Sequence, residues 1–221
     1  SYTMSHHPFL RYVAGKDKPI IMSTGTHELD EVRESVEVLR DAGAYDIILL
    51  HCVASYPTPL ESANVRAVET LSDEFGLPAG LSDHTLDPVT APSAAVALGG
   101  SVVEKHFTLD KSMEGPDHEF ALEPDELDEM VSAIRKTEKV LGSGEVDVLD
   151  AEKELHEIAR RRVHAARDIE EGETLTEDDI EVLRSGKRSK GAEPKFYEEI
   201  VGMKTKKYIH KGDGISLNDV R

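Results

Sequence analysis

The chain has 221 residues, 38% of them hydrophobic and only 5% aromatic, and its 44 Asp and Glu against 26 Lys and Arg leave a formal net charge of -18. That length admits one large domain, or one medium and one small. The acidic excess works against binding nucleic acid or an anionic membrane surface, so neither is expected as a partner.

Residues 1–17 read as a loop followed by a short helix through Phe9, Leu10, Tyr12 and Val13. Pro19 to Ser23 reads as a buried strand, and Thr24-Gly-Thr26 as a turn into a helix whose Leu29, Val32, Val36 and Leu39 recur at intervals of three and four. Asp46 to His51 is a second strand, apolar without alternation, as expected when both faces are covered. Cys52, the only cysteine, follows it; it excludes an internal disulfide and a CxxC metal site and reads as a buried structural thiol. After a loop over 53–59 come a helix over Val65 to Phe75, a third strand over Leu77 to Leu81, a helix near Pro92 that stops at Gly99-Gly100, and a fourth strand over Ser101 to Val103. A loop over 108–122 leads to a long helix that begins at Pro124 and carries Leu127, Met130, Val131, Ile134 and Val140.

Successive strand-helix units imply a parallel sheet with right-handed crossovers, and four of them make half of a (β/α)8 barrel. Acidic residues clustered on the helix that carries Leu29 to Leu39 and on the one that begins at Pro124 (Glu28, Asp30, Glu31, Glu34, Glu37; Asp125, Glu126, Asp128, Glu129) describe solvated outer faces, suited to a saline cytoplasm. No signal peptide or apolar run of membrane-spanning length appears, which points to the cytoplasm. Gly142-Ser-Gly144 opens a break in composition, and a charged helix around Asp150 to Arg161 reads as a connector. Beyond it Asp168–Ile180 aligns, forty residues on, with Tyr208–Val220; each copy reads as strand, glycine turn, a capping Thr or Ser, and a short helical turn. The expected organisation is a partial barrel over 1–141, a helical linker over 142–161, and a small domain of short strands over 162–221.

The chemistry-bearing residues sit at the ends of the third and fourth strands. Gly80-Leu-Ser-Asp-His-Thr85 is echoed twenty-two residues later by Val102-Val-Glu-Lys-His-Phe-Thr108. Strands joined by a crossover helix lie parallel and adjacent, so His84 and His106 should emerge side by side at the carboxyl face, where α/β proteins build their sites. Two imidazoles with Ser82, Asp83 and Glu104 beside them suit a divalent metal or acid-base work, although a lone strand-end His is as readily a satisfied polar residue.

Taken together, Lys18-Pro-Ile-Ile-Met-Ser-Thr-Gly25, His51-Cys52 with Tyr56-Pro-Thr-Pro59, Ser82-Asp-His-Thr85, Glu104-Lys-His-Phe-Thr108 and Gly115-Pro-Asp-His118 resemble the sialic acid synthases and their legionaminate, pseudaminate and spore-coat relatives. The tail is similar to their antifreeze-like (SAF) domain, and the family's first four barrel strands have no counterpart here. The resemblance implies the carboxyl-terminal half of a TIM (β/α)8 barrel followed by a small β-rich antifreeze-like domain. It implies condensation of phosphoenolpyruvate with N-acetylmannosamine or a related N-acyl hexosamine. His84 and His106 would hold a divalent ion, usually manganese, with magnesium or cobalt as alternatives. Ser82 and Ser1 would bind phosphate, Tyr56 and Asp117 would line the sugar pocket, and Glu104 would sit beside the reacting centre. Arg184 would reach a partner's active site across a domain-swapped homodimer. Two other readings are a noncatalytic carbohydrate-binding or assembly module, and a different phosphoenolpyruvate-condensing or aldolase barrel. A Schiff-base aldolase would need Lys105, whose neighbours Glu104 and His106 imply that it points away from the lumen.

Overall fold

A computed structural model describes residues 1–221, which fold as two compact units, Ser1–Gly144 and Glu145–Arg221. The boundary falls inside the segment expected as a connector. No helix is long and apolar enough to cross a membrane.

The first unit opens with α1 (His7–Ala14) and then alternates β1 (Ile20–Ser23), α2 (Leu29–Asp41), β2 (Ile47–Cys52), α3 (Ala67–Phe75), β3 (Ala79–Asp83), α4 (Thr90–Ala97), β4 (Val102–Lys105) and α5 (Pro124–Leu141). The strands form one parallel sheet in chain order, β1-β2-β3-β4, the half-barrel expected from four successive strand-helix units. Local chemistry sets the helix starts. α2 and α5 each begin with a reciprocal capping box, the backbone N–H of Glu28 donating to Glu31 at 2.8 Å and that of Glu123 to Glu126 at 2.9 Å. Pro124 occupies the first turn of α5, where its missing N–H costs nothing.

Helix stripes and the outer face of the sheet meet in one apolar core, in which Val32, Val36, Leu39, Leu49, Val68, Leu71, Ala79 and Leu81 are buried. Exposure on the inner face is uneven: Ile21 on the edge strand is 54% exposed, whereas Leu50, Cys52 and Ser82 are buried. Strand ends shift from expectation by one or two residues, most at β3 and β4. β3 begins at Ala79 rather than Leu77, because Pro78 has no N–H to give the ladder, although its carbonyl accepts from Leu49 N at 3.0 Å. β4 runs on to Lys105 because its pairing with β3 continues past the apolar residues into the polar cluster.

Gly80 is the tightest position of the sheet. A Cβ built there would lie 2.1 Å from the Val102 carbonyl oxygen and 2.9 Å from a Leu50 methyl, and the first of these atoms is backbone and cannot yield.

The second unit carries α6 (Lys153–Ile158), then β5 (Arg161–Ala165) and β6 (Ile180–Arg184) as an antiparallel pair, and the one-turn α7 (Tyr197–Ile200). The internal repeat is real at the level of hydrogen bonds. Ile169 and Ile209, one from each copy, exchange backbone bonds at 2.9 and 3.0 Å. Thr176 donates to Asp179 and Ser216 to Asp219, each at 2.7 Å, and each carboxylate also receives the backbone N–H of its own Thr or Ser. Leu175 matches Ile215 and Ile180 matches Val220, all buried in a separate core. The unit is poorer in strand than the sequence suggests. Outside β5 and β6 the pairing is confined to isolated bridges, because each copy offers one inward apolar residue before its glycine turn.

Burial alone would raise the Asp179 carboxyl; the bonds from Thr176 and from Arg167 (2.7 Å) outweigh it and hold the group below its ordinary value. Asp219 is lowered in the same way, with Lys207 in the place of Arg167. A carboxyl lowered on folding stabilises fully above its unfolded value of about 3.9 and loses that contribution as pH falls through the folded one.

Two outcomes are expected. Gly80→Ala lowers the stability of the first unit by about 2 to 3 kcal/mol, read as a lower urea midpoint, because the overpacked atom is a carbonyl in the ladder. Asp179→Asn lowers the urea midpoint of the second unit at pH 7 and flattens its decline between pH 5 and 3, followed through amide resonances of that unit.

Candidate active site

The site follows from one register. β3 and β4 pair with Gly80 opposite Val102, Ser82 opposite Glu104 and Asp83 opposite Lys105, a constant offset of the kind that the sequence echo required. Side chains alternate faces along a strand, so Ser82 and Glu104 lie together on the inner face and Asp83 and Lys105 on the outer. Ser82 Oγ donates to Glu104 Oε1 at 2.7 Å. Lys105 Nζ lies 2.7 Å from Asp83 Oδ2, both side chains at most 3% exposed, and also donates to the Thr85 carbonyl. The one lysine that could have served an imine-forming aldolase therefore stands on the outer face, tied to a carboxylate.

His84 and His106 keep the parity of Ser82 and Glu104. Their ring centroids are 5.3 Å apart, in an edge-to-face arrangement. His84 is buried, and its Nδ1–H donates to the Val53 carbonyl at 2.8 Å, which leaves Nε2 of the neutral ring with its lone pair free. Burial alone would lower the His84 pKa; the neighbouring Cys52 and the Val53 carbonyl outweigh it, and the net direction is upward. His106 Nδ1 faces Asp117 Oδ2 at 3.7 Å, so the loop over 108–122 returns its carboxylate to the ring that precedes it. No group of three or more His, Cys, Asp or Glu side chains stands close enough to hold a metal ion; the chain offers two imidazoles.

Aromatic rings wall the pair. Tyr56 packs on His84 at 4.3 Å and on His106 at 5.9 Å between centroids, and Phe120 packs on His106 at 5.1 Å and on Tyr56 at 5.5 Å. Burial and the neighbouring Tyr2 hydroxyl push the Tyr56 phenol up to about 12, so it remains a hydrogen-bond donor at neutral pH. Phe120 had no signal in the sequence, since a single aromatic in an aperiodic loop says nothing of where it folds back. Cys52 is buried as expected, and it also flanks the site: it pairs with Ser82 in the ladder, and its Sγ is 4.0 Å from His84 Nδ1. Burial raises that thiol, whereas contacts with His84, Ser23 and Ser82 carry the net shift downward.

Ser1 lies beside Gly25. A Cβ on Gly25 would come within 2.8 Å of Cys52 Sγ and 3.2 Å of Ser1 Oγ, so the bare glycine is what lets the opening loop lie against the end of the sheet. The structure thus brings Ser1, Tyr56, Ser82, His84, Glu104, His106 and Asp117 into the first unit at or beyond the carboxyl ends of its strands. Arg184 ends β6 of the second unit, opposite Arg161, with its side chain exposed. His118, read as either a substrate contact or a loop residue, bonds Thr108 Oγ1 at 2.8 Å within its own loop, and His164 is fully buried in the second unit.

Residues 1–146 match the NeuB family and residues 160–221 match the SAF domain. The chain belongs to the NeuB family and carries a SAF domain after the half-barrel. It is similar to spore coat polysaccharide biosynthesis protein SpsE of Bacillus subtilis, 40% identical over the whole chain and 63% of the relative. It is 38% identical to a pseudaminic acid synthase of Campylobacter jejuni, again over the whole chain and 63% of the relative. Among solved structures, an N-acetylneuraminic acid (sialic acid) synthetase from Leptospira borgpetersenii in complex with citrate superposes with a TM-score of 0.65 at 34% identity, over 70% of this chain and 54% of that one. The chain therefore spans about 63% of the length of these two relatives, less than two thirds.

Breaking the outer-face pair strands a buried charge. Lys105→Met is expected to cost about 3 to 5 kcal/mol, and the double change Asp83→Asn with Lys105→Met to recover most of it, measured as a double-mutant cycle in urea. A cycle with no coupling would show that the pair does not hold the register.

Proposed function

We propose that this chain is the carboxyl-terminal part of a nonulosonic acid synthase, which condenses phosphoenolpyruvate with N-acetylmannosamine or a related N-acyl hexosamine and releases phosphate. The observation that carries the reading is the inner-face quartet of Ser82, Glu104, His84 and His106, walled by Tyr56 and Phe120. The synthase names of the relatives support the class of reaction.

The donor set suits a first-row divalent ion, since His84 offers a free Nε2 behind a fixed Nδ1–H and His106 stands next to it. Manganese is the ion we infer, held by these two imidazoles, and it would supply Lewis-acid polarisation of the sugar aldehyde. The remaining work falls to the chain. Ser82 and Ser1 offer hydroxyl donors to the phosphate of phosphoenolpyruvate, and Ser82 can turn its proton from Glu104 to the incoming anion without moving its backbone. Tyr56, protonated at neutral pH, donates to a sugar oxygen, and Asp117 accepts from a sugar hydroxyl. C3 of phosphoenolpyruvate bonds to the aldehyde carbon, whose oxygen takes up a proton from solvent; water then adds at C2, and the resulting C2 hydroxyl gives its proton to the departing phosphate as the bond between C2 and the phosphate oxygen breaks. Glu104 orients that water and receives its proton. Arg184 of a second copy binds the N-acyl group, which makes the working assembly a homodimer, acting on soluble substrates in the cytoplasm.

The test is phosphate release from phosphoenolpyruvate with N-acetylmannosamine and Mn²⁺, using the chain joined to the amino-terminal barrel half of a relative. Turnover is expected from the joined chain, with a loss of at least about 100-fold in His84→Ala, in keeping with removal of a metal ligand. A chelator should abolish activity and added Mn²⁺ restore it. A joined chain that is inert with every acylated hexosamine tried would sink the proposal.

A further inference from the structure

His164 is 0% exposed and is the last residue but one of β5, where a histidine without partners would be costly. Both ring nitrogens are used. Nδ1 meets the Gly212 carbonyl at 3.0 Å and Nε2 meets Ser185 Oγ at 3.0 Å. A carbonyl only accepts, so Nδ1 carries the proton; Nε2 of the neutral ring is then the acceptor, and the Ser185 hydroxyl must donate. Ser185 is itself 3% exposed and directly follows Arg184, the last residue of β6.

The bond closes the base of an exposed basic segment. Arg184, Lys187, Arg188 and Lys190 place four cations within seven residues of a chain whose net charge is -18. At the base of this segment Gly186 N donates to Ile158 O at 3.1 Å and Arg188 N to Ser185 O at 3.0 Å, so the backbone on both sides of Ser185 is tied down, while the side chains of Arg184, Lys187 and Arg188 are exposed and Lys190 pairs with Glu157. An arginine side chain loses considerable rotamer freedom on binding, and a fixed backbone beneath it removes part of the cost of ordering it. The glycine turn of the second repeat copy supplies the other end of the tie, through Gly212. One imidazole thus ties the glycine turn of the second copy to the residue that follows Arg184.

We propose that His164 and Ser185 are positioning residues, whose hydrogen bond presents Arg184 to the N-acyl group of the sugar. This rests on the synthase reading and on the part given there to Arg184.

The experiment compares Arg184→Ala, Ser185→Ala and Ser185→Thr in the joined chain, with separate KM values for the sugar and for phosphoenolpyruvate and a urea midpoint for each variant. Ser185→Ala is expected to raise the KM for the sugar by about five- to tenfold, the size of one buried hydrogen bond, with kcat and the KM for phosphoenolpyruvate within about twofold. Ser185→Thr, which keeps the hydroxyl, should return the sugar KM to within about twofold of the parent. On the 221-residue chain, ring ¹⁵N shifts should show His164 protonated at Nδ1 and bare at Nε2, with the Nε2 signal moving in Ser185→Ala. A raised sugar KM in Arg184→Ala with none in Ser185→Ala overturns the positioning role alone. So does an equal defect in the Ala and Thr variants, or a His164 ring protonated at Nε2. An Arg184→Ala variant that matches the parent overturns the part given to Arg184 and this inference with it.

Discussion

The first unit depends on the register between β3 and β4. Along those two strands, inner-face residues are the ones that can do chemistry and outer-face residues pack under helices, so a slip of one residue would exchange the two sets. Lys105 and Asp83 forbid that slip. Their ion pair is buried on the outer face at 2.7 Å, and a shifted β4 would leave the Asp83 carboxylate without its cation and send His106 beneath the helices. A buried pair of this kind adds little net stability over an apolar replacement, because desolvation offsets most of the attraction. What it contributes is discrimination between alternative pairings, and here that discrimination decides whether Glu104 meets Ser82.

The same alternation explains why the site is held by backbone. Thr58 N donates to the His84 carbonyl and the His84 ring donates to the Val53 carbonyl, at 2.8 Å each, so the loop after β2 is fastened at both ends to the residue that it helps to orient. That loop then delivers Tyr56 onto the imidazoles. On the other side, Phe107 and Leu122 form a bridge, with Leu122 N donating to the His106 carbonyl at 2.8 Å, and the loop between them delivers Asp117 and Phe120. Each imidazole is thus clasped by the loop that supplies its aromatic neighbour, which limits the reorganisation that a substrate must pay for on arrival.

Much of this was legible in the sequence, for a physical reason. Strands covered on both faces need continuous apolar runs and helices on a sheet need stripes of period 3.6, so the alternation from β1 to α5 could be read before any contact was known. The twenty-two-residue echo gave the inner quartet, because a constant offset is what a parallel ladder produces. Strand ends were less legible. The ladder continues through Cys52, Asp83 and Lys105, past the apolar runs, since it is the backbone that pairs, and Asp83 and Lys105 have each other as buried partners. Phe120 and the second role of Cys52 were out of reach, because both depend on loops whose return path has no periodicity. In the second unit the repeat was visible through Gly172 and Gly212, Thr176 and Ser216, but the shortness of its pairing was not, because a single bridge and a strand have the same local composition.

The charge of the chain is distributed unevenly, and this bears on what the two units can do. Residues 1–144 hold 25 acidic and 11 basic residues, whereas 145–221 hold 19 and 15, with a cationic segment beside Arg184. A unit with so strong a negative field repels an anionic substrate at long range. On the proposed synthase reading, phosphoenolpyruvate would need short-range donors there that outweigh the field, and the neutral hydroxyls of Ser1 and Ser82 and a protonated Tyr56 are groups of that kind. The acids of α2 and α5 act mostly through water on outer helix faces, where salt screens them over about 8 to 10 Å. In the proposed homodimer, Arg184 of another copy would add a cation to those donors, from a backbone tied down at the buried His164 and Ser185.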